Sequence, residues 1–166
     1  MIASLAVSLA VAAPASAAPC KYRNLKPTTS NLAKVQSAVR CLVNRERSSR
    51  GIAKLKYSGA LATAAKRHSK NMVGMHFFDH VAPNGSTPRS RSKVAGYAGS
   101  FIGENIASDS HTLASPRKIV IGWMDSAPHR ANILNPQYRH QGAGVARGRP
   151  RDGPGATYTT TFGGPR

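Results

Sequence analysis

Acidic residues are scarce in this chain of 166 residues. Only six Asp and Glu stand against 24 Lys and Arg, a formal net charge of +18. Such a basic excess suggests a polyanionic partner, although charge alone says nothing about fold. Aromatic residues make up only 6% of the chain, and no recognition element or stacking surface of the kind used to read nucleic acid is visible. Nucleic acid is therefore an unfavoured partner, and anionic polymers of the cell envelope match the charge better.

Compact catalytic motifs are also missing. The chain has no H-E-x-x-H, no paired C-x-x-C, no G-x-S-x-G and no P-loop. A metal site or an acid–base site would therefore have to be assembled from distant segments. No apolar run is long enough to cross a bilayer, so no transmembrane segment is expected.

Residues 1–17 have the pattern of a secretory signal peptide. The first 19 residues carry no charge, and small and apolar side chains lead to Ala15-Ser16-Ala17, a small-x-small site for signal peptidase. The usual basic residue near Met1 is missing, which makes this leader atypical. We expect residues 18–166 to form a single secreted, extracellular domain in which residues 18–29 are a polar lead-in.

The chain has only two cysteines, Cys20 and Cys41. In an oxidising compartment they are each other's only partner, so we expect a disulfide between them. On the chain-entropy model a loop of this length contributes about 3 kcal/mol. Two unpaired thiols in a reducing cell are the alternative. Two cysteines alone make a poor metal site.

The order of hydrophobic patterns predicts an α+β fold. Apolar residues at helical spacing indicate a first helix capped by Thr29 or Ser30 and a second capped by Ser58. Further starts are expected at Ser115-Pro116 and Ser126-Ala127-Pro128. The tail, by contrast, favours a hairpin of strands over residues 142–146 and 156–162. Helices followed by an antiparallel pair indicate α+β rather than alternating α/β.

Few polar residues stand where chemistry is expected. His80 precedes a turn, Glu104 interrupts a small neutral stretch, and His129 lies at a helix start. From spacing alone, a surface histidine, a capping carboxylate and a helix-terminus histidine are the stronger interpretations. His68 lies on the apolar stripe of the second helix and is expected to be a buried, hydrogen-bonded core residue.

An ordered set of motifs resembles a known family. In chain order they are H-S-x-x-M from His68, F-F-D-H ending at His80, G-S-T-P from Gly85, G-E-N-I-A from Gly103, W-M-D-S from Trp123, H-R-A-N-I-L from His129, G-x-G-V-A from Gly142 and T-F-G ending at Gly163. Together they resemble the CAP superfamily (cysteine-rich secretory, antigen 5 and pathogenesis-related proteins), in its bacterial SCP-like extracellular branch. The resemblance covers about residues 38–164.

The resemblance implies a three-layer α–β–α sandwich with a small antiparallel central sheet. It also implies a cleft lined by two histidines and two acids, to which His80, Glu104 and His129 correspond. These three form a plausible set for a divalent metal, with zinc the best match. The position of the fourth member holds Ser126, and the adjacent Asp125 would point about 100° away on a helix.

A second departure lies at residues 89–92, Arg-Ser-Arg-Ser. Relatives usually place apolar residues there, so we expect the local helix to be poorly anchored. Ser126 and His129 are three residues apart and could face each other. With no visible oxyanion hole and no orienting acid besides Asp125, however, a serine hydrolase is disfavoured.

Three functions follow from these residues, and the sequence alone leaves enzyme activity open. The first is a secreted CAP domain whose cleft binds a divalent metal and a small or lipid-like ligand. The second is a metal-assisted hydrolase of peptides or envelope polymers with Glu104 as the catalytic base. The third is a basic module for anionic extracellular polymers, suggested by a cluster of cations. That cluster comprises Arg45, Arg47, Arg50, Lys54 and Lys56.

Overall fold

A computed structural model describes residues 18–110, 114–151 and 153–165. The proposed signal peptide, residues 1–17, lies outside the described residues. The elements, in chain order, are α1 (Leu32–Ser48), β1 (Lys56–Tyr57), α2 (Gly59–Gly74), α3 (Pro88–Val94), β2 (Ile102–Ser110), α4 (Pro116–Asp125), α5 (Ala127–Leu134), β3 (His140–Arg147) and β4 (Gly155–Gly163). The predicted α+β class is confirmed.

The four strands form one sheet in the order β1-β3-β4-β2. Strand β4 is central and pairs antiparallel with both β3 and β2. The predicted terminal hairpin is therefore present as β3 and β4. The two-residue β1 pairs parallel to β3 and makes the sheet mixed.

Alternate residues of β3 face different helical layers. Gly142 and Gly144 lie against α2, where a Cβ at either glycine would clash with the helix backbone. Ala143 and Val145 point the other way, into the core shared with residues of α1 and α4. Because side chains alternate across a strand, this places helices on both faces of the sheet. The expected three-layer α–β–α sandwich follows.

Strand β2 was not among the strands predicted from the sequence. It covers Ile102–Ser110 and pairs with β4 along its whole length. Its residues include few β-branched side chains, so local preference is weak. The fully buried partner β4 supplies the missing stabilisation.

Three of the four predicted helix starts are confirmed, at Ser58, Ser115 and Ser126, and the first is wrong. Ser58 and Ser115 each accept a hydrogen bond from a backbone N–H of the first turn, as capping serines do. Helix α1 instead follows Asn31, not Thr29 or Ser30. The Asn31 amide accepts from Thr28 N–H and donates to the Lys26 carbonyl, so it stabilises the preceding turn.

The disulfide between Cys20 and Cys41 is confirmed. It ties the N-terminal lead-in to the middle of α1 and so closes the chain over this side of the core. Among the described residues, no helix is long and apolar enough to cross a membrane.

Arg47 was counted with the surface cations but is completely buried. Its Nε donates to the Ala53 carbonyl, and its Nη1 donates to the carbonyls of Ile133 and Asn135, each at 2.8 Å. One guanidinium thus joins the end of α1 to the end of α5. Burial lowers the Arg47 pKa, with a smaller contribution from the positive charge of Arg139.

Replacement of Arg47 by Leu should destabilise the fold strongly, because buried carbonyls would lose their donor. We expect a loss of about 3 kcal/mol in the free energy of unfolding, measured by urea denaturation. Arg45→Leu, on the exposed side of the same helix, is the control and should change stability by less than about 0.5 kcal/mol. Equal losses in the two variants would contradict this role.

Candidate functional site

Glu104 is the buried acid at the centre of the candidate site. It lies on β2 opposite Thr161 of β4, and its side chain is 2% exposed. A carboxylate removed from water in this way needs charged or hydrogen-bonding partners. Two segments that precede it in the chain, α3 and the loop before it, provide them.

Arg91 forms a bidentate ion pair with Glu104. Its Nη2 donates to Oε1 at 3.0 Å and to Oε2 at 2.9 Å. Its Nη1 donates to the carbonyls of His80 at 2.9 Å and Ser86 at 2.7 Å. The guanidinium therefore joins the buried acid to the loop that carries His80. The sequence marked Arg91 only as part of the unusual segment 89–92 and did not indicate that its side chain would contact Glu104.

The expectation that residues 89–92 form a poorly anchored helix is wrong. Thr87 and Ser90 form a capping box at the start of α3. Arg91 reaches inward to Glu104, and the buried Ser92 donates to the Pro88 carbonyl at 2.8 Å. Polar residues thus anchor this helix where apolar residues were expected.

His80 lies at the open side of the site. Its Nδ1 is 3.0 Å from Glu104 Oε1, and its side chain is 45% exposed. The hydrogen bond to the Glu104 carboxylate raises the pKa of His80, and burial opposes that shift. With Nδ1 turned towards Glu104, Nε2 is the ring nitrogen left to meet a ligand.

His129 reaches the site from α5. Its Nδ1 is 2.9 Å from Ser126 Oγ, so the predicted meeting of these two side chains occurs. Burial lowers the pKa of His129, and the nearby positive charge of His80 lowers it further. Asp125 is exposed and does not take the place of the missing fourth acid. The Ser126–His129 pair therefore has no orienting carboxylate from this neighbour.

Two asparagines fix α5 to β2 beneath His129. Asn105 Nδ2 donates to the His129 carbonyl at 3.0 Å. Asn132 Nδ2 donates to the Glu104 carbonyl at 3.2 Å and to Asn105 Oδ1 at 2.9 Å. The backbone positions of Glu104 and His129 are thereby linked. No local pattern in the sequence predicted this amide network, although Asn105 and Asn132 both lie in motifs that resemble the family.

His68 is buried and hydrogen-bonded, as its place on the stripe of α2 predicted. Its Nε2 donates to the Asp79 carbonyl at 2.9 Å, one residue before His80. The same nitrogen lies 3.7 Å from Glu104 Oε1, a proximity that the sequence did not indicate. Burial lowers the pKa of His68 and favours its neutral form.

The donor set does not fit a resident divalent metal. Both oxygens of Glu104 accept hydrogen bonds from Arg91, and one of them also faces His80. Within the described residues, no group of three His, Cys, Asp or Glu side chains is placed to hold a metal ion. Zinc ligation by His80, Glu104 and His129, and a catalytic role for Glu104, stay predictions that this arrangement does not favour.

Two cavities are relevant to ligand size and charge. One of about 210 Å³ is lined by Phe78, Ser108, Arg149, Pro150 and Arg151, and so begins two residues from His80. A larger one of about 580 Å³ lies where β2 and β3 begin, between Phe101 and Arg139. Neither cavity is lined by His80, Glu104 or His129.

The profile described as the cysteine-rich secretory protein family, CAP, matches residues 41–162. The chain therefore belongs to the CAP family, as its motifs indicated. The match extends from the disulfide in α1 to the end of β4 and includes every residue of the site described above.

Relatives place the chain in the bacterial branch of that family. It is 35% identical over 133 residues to YkwD of Bacillus subtilis (strain 168), covering 78% of this chain and 51% of YkwD. It is 33% identical over 106 residues to the membrane protein YlbC of the same organism, covering 64% of this chain and 30% of YlbC. The chain thus spans about half or less of these curated relatives.

Solved structures share the fold. An extracellular protein containing an SCP domain from Bacillus anthracis str. Ames aligns with a TM-score of 0.69 at 27% identity, covering 82% of this chain and 44% of that one. An outer surface protein of Borrelia burgdorferi aligns at 0.70 and 17% identity, covering 86% and 99%. The second likeness concerns the fold alone.

Stability should depend on pH through His80. Since its folded pKa is raised, the contribution of His80 is fully present below the unfolded value of about 6.5 and is lost as pH rises through the folded pKa. The stability difference between wild type and His80→Gln, measured as urea midpoints from acidic to basic pH, should therefore be largest at acidic pH and shrink above neutrality.

His129 supplies the control of opposite sign. Its pKa is lowered, so protonation at acidic pH opposes folding. Relative to wild type, His129→Gln should gain stability as pH falls below about 6.5. If the stability of both variants relative to wild type changed with pH in the same direction, the opposite pKa shifts assigned to His80 and His129 would be wrong.

Proposed function

We propose that this CAP domain is an extracellular binding protein whose cleft takes an amphipathic ligand with an acidic head group, without a bound metal. One observation carries the proposal: Arg91 and His80 together engage the carboxylate of Glu104. The negative charge of the buried Glu104 is therefore balanced by side chains of the same chain. His80 and His129 are then available to an acidic group rather than to a cation.

The charge of the cleft supports an acidic head group. The raised pKa of His80 favours its protonated form, and Arg91 already balances Glu104. A neutral His129 that accepts from Ser126 Oγ carries its proton on Nε2 and can donate to an oxygen. Arg149 and Arg151 line the cavity that is also lined by Phe78, two residues before His80 in the chain. An acid would meet donors and positive charge throughout.

Apolar side chains beside His80 support a lipid-like tail. Phe78 and Val81 are each 48% exposed and lie on either side of His80 in the chain. Single exposed apolar residues are ordinary, but Phe78 also lines the cavity that holds the two arginines. A ligand with an acidic head and an apolar chain matches both kinds of surface.

The extracellular location draws on similar proteins. The Bacillus anthracis neighbour is described as extracellular and the Borrelia protein as an outer surface protein. A disulfide in the fold agrees with an oxidising compartment. Metal-assisted hydrolysis has no comparable support, because the base it requires is held by Arg91.

Dodecyl phosphate is a suitable probe of the cleft. We expect it to bind in the presence of EDTA, measured by isothermal titration calorimetry at mildly acidic pH. His80→Gln should weaken binding about tenfold, since a charge-assisted hydrogen bond would be lost. Phe78→Ser should weaken binding by a similar factor through lost apolar contact.

Val94→Ser is the matched control, because Val94 is 78% exposed on α3. It should bind dodecyl phosphate as wild type does. Binding that requires a divalent metal, or that is unchanged in both His80→Gln and Phe78→Ser, would refute this assignment of the cleft.

A second candidate function is binding of anionic polymers by the surface. Arg45 and Lys54 converge on a cavity of about 230 Å³ beside the disulfide. Two other cations of the predicted cluster are less available, because Arg47 is buried and Arg50 pairs with Glu46 at 2.7 Å. The basic patch that remains is small but points to one side of the molecule.

Inorganic polyphosphate tests this second function. Affinity should fall steeply as salt rises, by about 100-fold per tenfold change in salt if roughly three phosphates are neutralised. Arg45→Gln with Lys54→Gln should lower the affinity. Lys93→Gln with Arg117→Gln, an equal change of charge at exposed positions elsewhere, should lower it less. Binding insensitive to salt would exclude the idea.

A further inference from the structure

We infer that Arg91 determines which cation this site accepts: its guanidinium occupies the position of charge that a divalent metal would need beside Glu104 and His80. Arg91 is thus a built-in counter-cation that keeps metal out. The inference deepens the proposed function, on whose metal-free cleft it rests, and assigns that property to one residue.

The contact has the geometry of a specific pair. Hydrogen bonds between two charged groups are shorter and about twice as strong as those between neutral groups. Here one nitrogen, Nη2, reaches both oxygens of Glu104. Side chains of Arg91 and Glu104 are 8% and 2% exposed. Water therefore does little to weaken the attraction between them.

A second set of hydrogen bonds restrains the Arg91 side chain. Its Nη1 donates to two carbonyls, those of His80 and Ser86, at opposite ends of one loop. The capping box at Thr87 and Ser90 fixes the start of the helix that carries it. With both terminal nitrogens, Nη1 and Nη2, held by hydrogen bonds, the guanidinium is preorganised against the acid.

A divalent ion would have to displace this arrangement. Zinc binds carboxylate oxygens at about 2.0–2.2 Å, on the same oxygens that Arg91 approaches to 2.9–3.0 Å. A zinc ion and the Arg91 guanidinium bound to the same carboxylate would lie close together and repel each other. Expelling Arg91 would leave a buried cation without its carboxylate, at a large cost.

The serine at position 126 agrees with the same charge balance. A second carboxylate there would add negative charge for a metal to neutralise, but Ser126 is neutral and bonds to His129. The site therefore contains one buried acid and one buried cation that cancel. A neutral residue at position 126 and a cation at position 91 thus act in the same direction, because both reduce the negative charge that would attract a metal ion.

Zinc binding to the full chain tests the inference. Protein freed of metal with EDTA and dialysed is titrated with ZnCl₂ to about 1 mM, with thermal midpoint and calorimetry as readouts. Wild type should show no zinc-induced shift. Without zinc, Arg91→Ala should melt about 10 °C lower. Zinc should then raise its midpoint, and a further His80→Gln change should abolish that gain.

Matched controls separate a cation site from simple loss of packing. Arg89→Ala, two residues earlier on the same helix and exposed, should neither destabilise the protein nor acquire zinc binding. Methylguanidinium at low millimolar concentration should raise the midpoint of Arg91→Ala by replacing the missing group. A role confined to packing would give neither the zinc response nor the rescue.

Two results would overturn the inference. One is zinc binding by wild type that His80→Gln abolishes, a measurement that decides the matter even if Arg91→Ala does not fold. The other is a folded Arg91→Ala protein that gains no zinc binding, whatever its midpoint. Dodecyl phosphate binding in EDTA is measured separately, so failure of the ligand proposal and failure of this inference can be told apart.

Discussion

The buried ion pair of Arg91 and Glu104 is the interaction on which the site depends. It neutralises the acid of the sheet, holds the loop that carries His80, and fixes the short helix α3 against β2. Buried ion pairs contribute little net stability, but loss of one partner is costly because the other charge remains. Such a pair specifies one arrangement of the cleft.

The consequence for chemistry is that the negative charge of Glu104 is balanced by cations of the same chain. Glu104 contacts His80 and Arg91, and His129 contacts Ser126. The histidines are oriented by different partners and shifted in opposite directions, since the pKa of His80 is raised and that of His129 is lowered. One cleft can therefore hold a charged and a neutral imidazole together.

Much of this fold could be predicted from the sequence, because its signals are local or ordered along the chain. Capping at Ser58, the terminal hairpin and the Cys20–Cys41 bridge are of this kind. Of the site, Glu104 and His80 were found and do meet. Arg91 and Arg47 were missed, because only tertiary contacts distinguish a buried arginine from the many solvated cations of a basic chain. Strand β2 was missed for a related reason: its partner strand, not its own residues, stabilises it.

The close approach of α2 to Gly142 and Gly144 constrains how this site can evolve. Because the backbone of α2 packs directly on these two glycines, any larger residue at either position would require the helix to move. Displacing the helix would carry His68 with it, and His68 holds the Asp79 carbonyl next to His80. The exposed loop around His80 is therefore free to accept substitutions, whereas the contact between α2 and β3 behind it accepts no added side chain at Gly142 or Gly144 without movement of the helix.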